Sequence, residues 1–338
     1  MSILRYAGIV ILLLVASCTQ NEPQRPPPPS APSAASPPLR VCVGTSLSLL
    51  MIIAQQKGFF AREGLRVDIT SFLMGRDALE AMLAGRCDVA TSADTPVADY
   101  VRTRDDLRVI AGIASTDRLG YLVARRETGI RSIADLKGHR VGVTRGTAPH
   151  YFLDLLLNKS LLTEKDLKLT FMNGGTLREA LLNGTVEAIA TADLNALRMK
   201  EELGDAVVLI TDPGISRNHG YLSLKESTLA TKRNQLKRLL TALKGAEQWA
   251  AEHPAETSGL LAAYLKVSPR IADRMLEGLA PRLSLETAMI MTLEDNARWL
   301  KEREGVKTEH KSFRGVIRPE LLQEVAPESV SLNWGALP

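Results

Sequence analysis

The sequence predicts an α/β protein of two similar lobes, each a parallel sheet with helices packed on its faces. Two observations carry that prediction. Short apolar strands alternate with amphipathic helices, the arrangement that produces parallel sheets covered on both sides. The alternating unit also occurs twice: "EAMLAGRCDVATSAD" at 80–94 aligns without a gap to "EALLNGTVEAIATAD" at 179–193. A strand-helix-strand-helix-strand block therefore spans 40–94 and again 140–193. A chain of 338 residues, 45% hydrophobic and 24% charged, suits two domains or so of ordinary globular composition.

Each element follows in order. "RVCVGT" at 40–45 and "RVGVTR" at 140–145 are the first strands of the two blocks, and "GLRVDITSF" at 64–72 parallels "DLKLTFMNG" at 166–174 as the second. After Gly146, apolar residues fall at Ala148, Tyr151, Phe152, Leu155 and Leu156, the spacing of a helix with one buried stripe, with His150 and Asp154 off it. Thr176 and Glu179 stand at capping-box spacing, and both repeated helices stop at a glycine, Gly85 and Gly184.

The N-terminus differs from the rest. Arg5 precedes the apolar run "AGIVILLLV" at 7–15, the length of a secretory h-region and too short to span a bilayer comfortably. The run ends in "VASC", which resembles a bacterial lipoprotein processing box with Val15 in its first position. On this reading residues 1–17 are a signal peptide and Cys18 carries lipid. Residues 18–39 form a tether, since 20–38 hold eight prolines among Ser and Ala and cannot pack a core. In polyproline II form it reaches roughly 60 Å. Cys42 and Cys87 belong to an oxidising compartment, where a disulfide is open to them. Their apolar strand neighbours favour buried free thiols.

The bulk charge and the motif content exclude several functions. A net charge of +4 without a dense basic cluster gives no support to nucleic-acid binding. The five histidines lack metal-ligand spacing, and no Gly-x-Ser-x-Gly, Walker loop or CxxC is present. The expectation is a binding protein without metal, cofactor or catalytic residue. In open parallel sheets ligands meet the carboxyl ends of the strands, where helix starts point their amides outward. Four segments fall there: "TSLS" at 45–48, "SADTP" at 92–96, "GTAPH" at 146–150 and "TAD" at 191–193. If the lobes face one another, all four line one cleft. The candidate ligand-binding residues are thus Ser46 and Ser48, Asp94 and Thr95, Thr147 and Ala148, and Asp193. Each also has a plainer role as a helix cap. Asp94 and Asp193 are expected to face the cleft and receive a donor on the ligand, which disfavours a bare anion such as nitrate unless Arg118 or Arg145 offsets them.

Four stretches, "GFFAREGLRVDI" at 58–69, "LAGRCDVATSADTP" at 83–96, "IRSIADLKGHRVGVTRGTAPHY" at 130–151 and "EQWAAEHPAETSGLLA" at 247–262, together resemble the nitrate/sulfonate/taurine family of ABC-transporter solute-binding proteins. The resemblance covers about 40 to 300. It implies a type II periplasmic-binding-protein fold, with lobe one at 40–122 and 216–338, lobe two at 123–215, and two crossing hinge strands near "YLVARR" and "YLSLKE". Helical runs at 231–252, 254–265 and 286–304 would pack on lobe one. It also implies ligand roles for His150 and for Tyr221, although both also fit structural roles. "ATADLNA" lacks the Trp and Tyr that members often carry after this strand. The implied protein is a monomer on the periplasmic or other extracytoplasmic face, anchored by lipid at Cys18. It would capture a small polar organic solute for the permease subunits of an ABC transporter. The alternatives are an enzyme of the same fold from thiamine-pyrimidine or menaquinone biosynthesis, and a lipid-tethered sensor.

Overall fold

The computed structural model describes residues 37–304 and 312–336. The expected signal peptide at 1–17, the expected lipid site Cys18 and the part of the expected tether up to residue 36 lie outside the described residues.

Ten strands build two five-stranded sheets with one shared plan. The first holds β1 (Leu39–Gly44), β2 (Val67–Phe72), β3 (Val89–Ala93), β4 (Leu107–Thr116) and β10 (Asn218–Lys225) in the order β2-β1-β3-β10-β4. The second holds β5 (Gly120–Arg125), β6 (Arg140–Val143), β7 (Lys168–Phe171), β8 (Ala188–Ala192) and β9 (Val207–Ile210) in the order β7-β6-β8-β5-β9. The three strands of each repeat pair in parallel, as their alternation with helices predicts. The expectation of wholly parallel sheets needs correcting. Each sheet takes in one antiparallel strand, β10 between β3 and β4 and β5 between β8 and β9. Both enter where the chain crosses from one sheet to the other, β4 to β5 and β9 to β10, so they arrive running the opposite way. Each sheet with the helices packed on it forms one lobe.

Lobe one carries α1 (Leu49–Gln56), α2 (Phe59–Arg62), α3 (Gly75–Leu83) and α4 (Asp94–Thr103). Leu49 to Ala54 of α1 are all buried, because the sheet lies on one side and later helices on the other. Lobe two carries α5 (Ala148–Lys159), α6 (Leu177–Leu182) and α7 (Asp193–Leu203). After β10 come α8 (Glu226–Thr231), α9 (Arg233–Glu252), α10 (Pro254–Leu265), α11 (Pro269–Leu276), α12 (Thr287–Glu304) and α13 (Glu320–Val325), with the short β11 (Leu285–Glu286) and β12 (Val330–Ser331). α9 and α10 pack on α1. The free edge of β4 is covered by bridges to Ala280, Ser284 and Ile317, which hides a row of strand amides from other chains.

Local sequence signals meet the structure with three corrections. Gly85 and Gly184 end their helices in the left-handed region, both at φ 80°, where a side chain would be strained. The capping box at Thr176 and Glu179 does not form: the Thr176 hydroxyl donates to the Asn173 carbonyl, and the Asn173 side chain accepts from the Gly175 amide. The buried stripe of α5 is Phe152, Leu153, Leu156 and Leu157, with Tyr151 and Leu155 only half-buried. Trp299 of α12 stands edge-on to His150 and Tyr151, and His150 is buried as well. Finally, Cys42 and Cys87 form a disulfide with Cα atoms 5.8 Å apart. Pairing of Val41 with Val89 brings Cys42 beside the turn before β3; a neighbourhood of apolar residues carries no information about that register.

Candidate functional site

A crevice with an empty volume of ≈ 490 Å³, open space at its mouth included, lies between the sheets and is lined from both lobes. Ser48, Met74, Ala93, Thr147 and Ala192 all border it. These are the N-cap residues of α1, α3, α4, α5 and α7, and none makes a side-chain capping bond. Each helix start leaves amides without intrahelical partners and carries roughly half a positive charge from the aligned peptide dipoles. Five such ends meet at this space, although α4 and α7 open with the carboxylates Asp94 and Asp193, the first two amides of α7 are held by the Leu119 carbonyl and Asp193, and Pro149 removes one amide from α5.

The hydroxyls at those caps are engaged elsewhere. The Gly44 amide donates to Thr91 Oγ1 (2.9 Å), and Thr91 and Ser48 share a hydrogen bond of 2.7 Å. Ser48 Oγ in turn donates to the Gly44 carbonyl at 2.6 Å, which closes the ring. Thr147 Oγ1 donates to the Thr144 carbonyl at 2.7 Å. In contrast, Ser92 Oγ is buried on the crevice wall with no hydrogen-bond partner. A buried hydroxyl without a partner is costly unless something supplies one.

Close backbone approach shapes the floor. A Cβ on Gly44 would lie 2.4 Å from Gly75 Cα, and one on Gly75 would lie 3.0 Å from Ser92 Cα. Only glycine allows β1, the start of α3 and the end of β3 to converge there. Among the described residues Arg76 is the one charged residue on the wall, and it is occupied: its guanidinium reaches Asp99 (2.9 Å), Glu80 (3.1 Å) and, across the lobes, the Gly146 carbonyl (3.0 Å). The remaining described wall is largely aliphatic, including Leu47, Leu73, Leu119 and Pro149, with no aromatic ring.

The predicted residues separate into two groups. Ser46, Ser48, Thr147 and Ala148 border the crevice; Asp94, Thr95, His150, Asp193 and Tyr221 do not. Asp94 is fully buried and turned toward β10. Its carboxylate accepts from the His219 amide (2.7 Å), His219 Nδ1 (3.1 Å) and the Tyr221 hydroxyl (2.7 Å). Tyr221 is therefore part of the hinge packing, and burial followed by the nearby Asp94 charge pushes its phenol well above the usual range. Thr95 donates to Asn296 Oδ1 at 2.7 Å. His150 Nδ1 accepts from the Gly146 amide at 3.2 Å, and its Nε2 meets Glu164 Oε1 at 2.7 Å. Arg118 bonds Glu277 and Arg145 lies over Phe171, so neither supplies a cation to the crevice.

Asp193 holds the place in the repeat that Asp94 holds, yet its surroundings differ. In the crossing strands, Gly120-Tyr121 pairs with β8 as Gly220-Tyr221 pairs with β3. The residue before each glycine is Leu119 in one case and His219 in the other. Without an imidazole, Asp193 accepts only from Ser46 Oγ across the lobes (2.6 Å) and from the Leu194 amide (2.7 Å). Burial accordingly raises its pKa from 3.8 to about 6 despite those two donors.

The four segments expected at the cleft each contribute wall residues, and a fifth, Leu73–Arg76, was missed. Its signal was Met74-Gly75 after the second strand, a glycine at a helix start. Among the described residues there is no group of three His, Cys, Asp or Glu able to hold a metal, and no helix long and apolar enough to cross a membrane.

Residues 48–257 match the family described as NMT1/THI5 like. The chain belongs to the NMT1/THI5-like family. A Haemophilus influenzae protein named for thiamine biosynthesis is 28% identical over 226 residues, covering 63% of this chain and 68% of that one. The alkanesulfonate-binding protein SsuA of Xanthomonas axonopodis pv. citri, bound to MOPS, has a TM-score of 0.72 at 19% identity over 85% of this chain and all of that one. The desulfurization enzyme DSZB has a TM-score of 0.62 at 15% identity, over 86% and 99%. The fold of this family member is thus that of periplasmic binding proteins of the SsuA type, two α/β lobes joined by crossing strands, and enzymes share it.

Proposed function

We propose that the protein is an extracytoplasmic solute-binding lipoprotein that holds a small organic oxyanion in the crevice and delivers it to an ABC permease. The observation that carries this reading is the convergence of helix starts from both lobes and the partnerless Ser92 hydroxyl on one space. An oxyanion supplies acceptors to the amides of α1, α3 and α5 that helix geometry leaves open and to that hydroxyl. Neither carboxylate borders the crevice: Asp94 is bonded by β10, and Asp193 by Ser46 and the Leu194 amide, which supports an anion there more than direct exposure of both would. Aliphatic walls suit a short alkyl body, and the lack of an aromatic ring on the wall argues against a stacked pyrimidine.

The test is calorimetric titration of the purified protein with ethanesulfonate, taurine, nitrate and an aminopyrimidine. The sulfonates should bind, and Ser92→Val should weaken them about tenfold through one lost hydrogen bond. Binding of the pyrimidine alone would favour a role allied to thiamine synthesis. Anchoring is tested separately: Cys18→Ser should move the protein from the membrane fraction to the supernatant, and unchanged fractionation would reject a lipid at Cys18.

A further inference from the structure

α12 belongs in sequence to the segment that packs on lobe one, where Asn296 accepts from Thr95 of α4. Its last turns nevertheless reach lobe two. Trp299 Nε1 donates to Asp154 Oδ2 at 2.9 Å, and Arg303 donates to Asp154 Oδ1 at 2.7 Å. Arg303 also pairs with Glu164, just beyond α5. All four side chains are largely shielded: Asp154, Glu164 and Arg303 retain 15%, 19% and 21% of their side-chain exposure, and Trp299 is buried.

The cluster connects directly to the crevice. The Gly146 amide donates to His150 Nδ1, which leaves the proton on Nε2, and Nε2 donates to Glu164. The His150 ring also stands edge-on to Trp299, with centroids 4.9 Å apart. Gly146 is held in the left-handed region at φ 65° and opens the turn whose next residues, Thr147 and Ala148, form the lobe-two wall. A continuous chain of contacts thus runs from α12 through Arg303, Glu164 and His150 to the Gly146 amide. It is separate from the two crossing connections and from the Ser46–Asp193 bond.

We propose that α12 is a bolt across the cleft, and that His150 is a positioning residue through which the bolt sets the Gly146–Ala148 turn. The bolt stands on the contacts alone; the consequence for the ligand rests on the binding reading of the crevice. When Arg303 engages Asp154 and Glu164, the lobes are held together and the start of α5 is aimed at the crevice. When it disengages, the lobes are joined here only by the remaining contacts, such as Ser46–Asp193 and Arg76–Gly146, and Glu164, still beside His150 within lobe two, loses the cation that fixes its position. The same contacts therefore govern how long a bound solute is retained.

The experiment uses the full-length protein and three variants: Arg303→Met, Arg303→Glu, and Arg303→Glu combined with Glu164→Arg. Arg303→Glu sets a third carboxylate against Asp154 and Glu164, Arg303→Met is the milder change should the first fold poorly, and the double variant restores one opposite-charge pair. Small-angle scattering should give a larger radius of gyration for both single variants and a return toward the parent value in the double variant. Hydrogen exchange at the Gly146 amide should accelerate about tenfold in His150→Phe, the response to losing one hydrogen bond, and in the same direction but less in the single Arg303 variants, where the bond remains and its support is loosened. Ethanesulfonate dissociation should accelerate in parallel, with little change in melting temperature. Unchanged scattering in both single variants overturns the bolt, and unchanged Gly146 exchange overturns the coupling through His150. Failure of ethanesulfonate to bind even the parent protein would count against the proposed solute class, while scattering and exchange still decide the bolt.

Discussion

Replacing Asp193 by Asn should stabilise the protein at neutral pH and leave it unchanged in acid. Burial lifts the Asp193 carboxyl from 3.8 to about 6. At about 1.36 kcal/mol per pKa unit, keeping this group charged in the folded state costs ~3 kcal/mol. The sign follows from proton counting. Between 3.8 and 6 the folded chain binds more protons than the unfolded one, so stability falls as pH rises through that window. Above 6 the whole cost is present, and below 3.8 it has gone. Asn matches Asp in size, and its Oδ1 can accept from Ser46 Oγ and the Leu194 amide just as the carboxylate does. For a folded body of this size ~3 kcal/mol corresponds to a gain of about 5 °C in melting temperature. Differential scanning calorimetry of both proteins from pH 4 to pH 8 checks this. The two curves should coincide near pH 4 and separate through pH 6. A constant offset, or an Asn variant less stable at pH 7.5, would show that Asp193 is not a buried charge held at a cost.

Three further outcomes test other parts of the structure. Gly44→Ala should destabilise by about 1–3 kcal/mol in chemical denaturation, because its Cβ would meet the Gly75 backbone at 2.4 Å; wild-type stability would mean the β1–α3 approach is looser than described. Cys42→Ala/Cys87→Ala should cost about 4 kcal/mol, the chain-entropy value for a loop of 45 residues. Without reductant the intact protein should take up no alkylating agent at these two positions, and alkylation of either would return them to free thiols. Tyr221→Phe removes one of three donors from the buried Asp94 carboxylate and should cost about 1–3 kcal/mol, seen as a lower denaturation midpoint. An unchanged midpoint would remove that bond from the hinge.

The limits of sequence reading are visible in particular residues. Thr147 and Ala148 could be placed at the crevice because a strand, a glycine and a helix start are local patterns. Leu73–Arg76 carries the same kind of local signal in Met74-Gly75, but its place at the crevice floor is decided by the sheet register that brings Gly75 to Gly44 and Ser92. His150 lies off the apolar stripe of α5, so periodicity gives no sign that it is buried. The element that buries it, α12, lies more than a hundred residues away and is invisible to periodicity.

The sequence by itself determined the repeated block, its parallel strand triplets and the glycines that end its helices, because each depends on residues close along the chain and on side-chain period. Only the tertiary structure decided what the two equivalent aspartates do. Their own segments are nearly the same, but the crossing strands give Asp94 bonds from His219 and Tyr221, whereas at Asp193 the histidine is replaced by Leu119, the equivalent Tyr121 makes no hydrogen bond to it, and the side-chain donor is the distant Ser46. A carboxylate's role is set by the donors that reach it through space. For Asp94 those donors come from 125 and 127 residues along the chain.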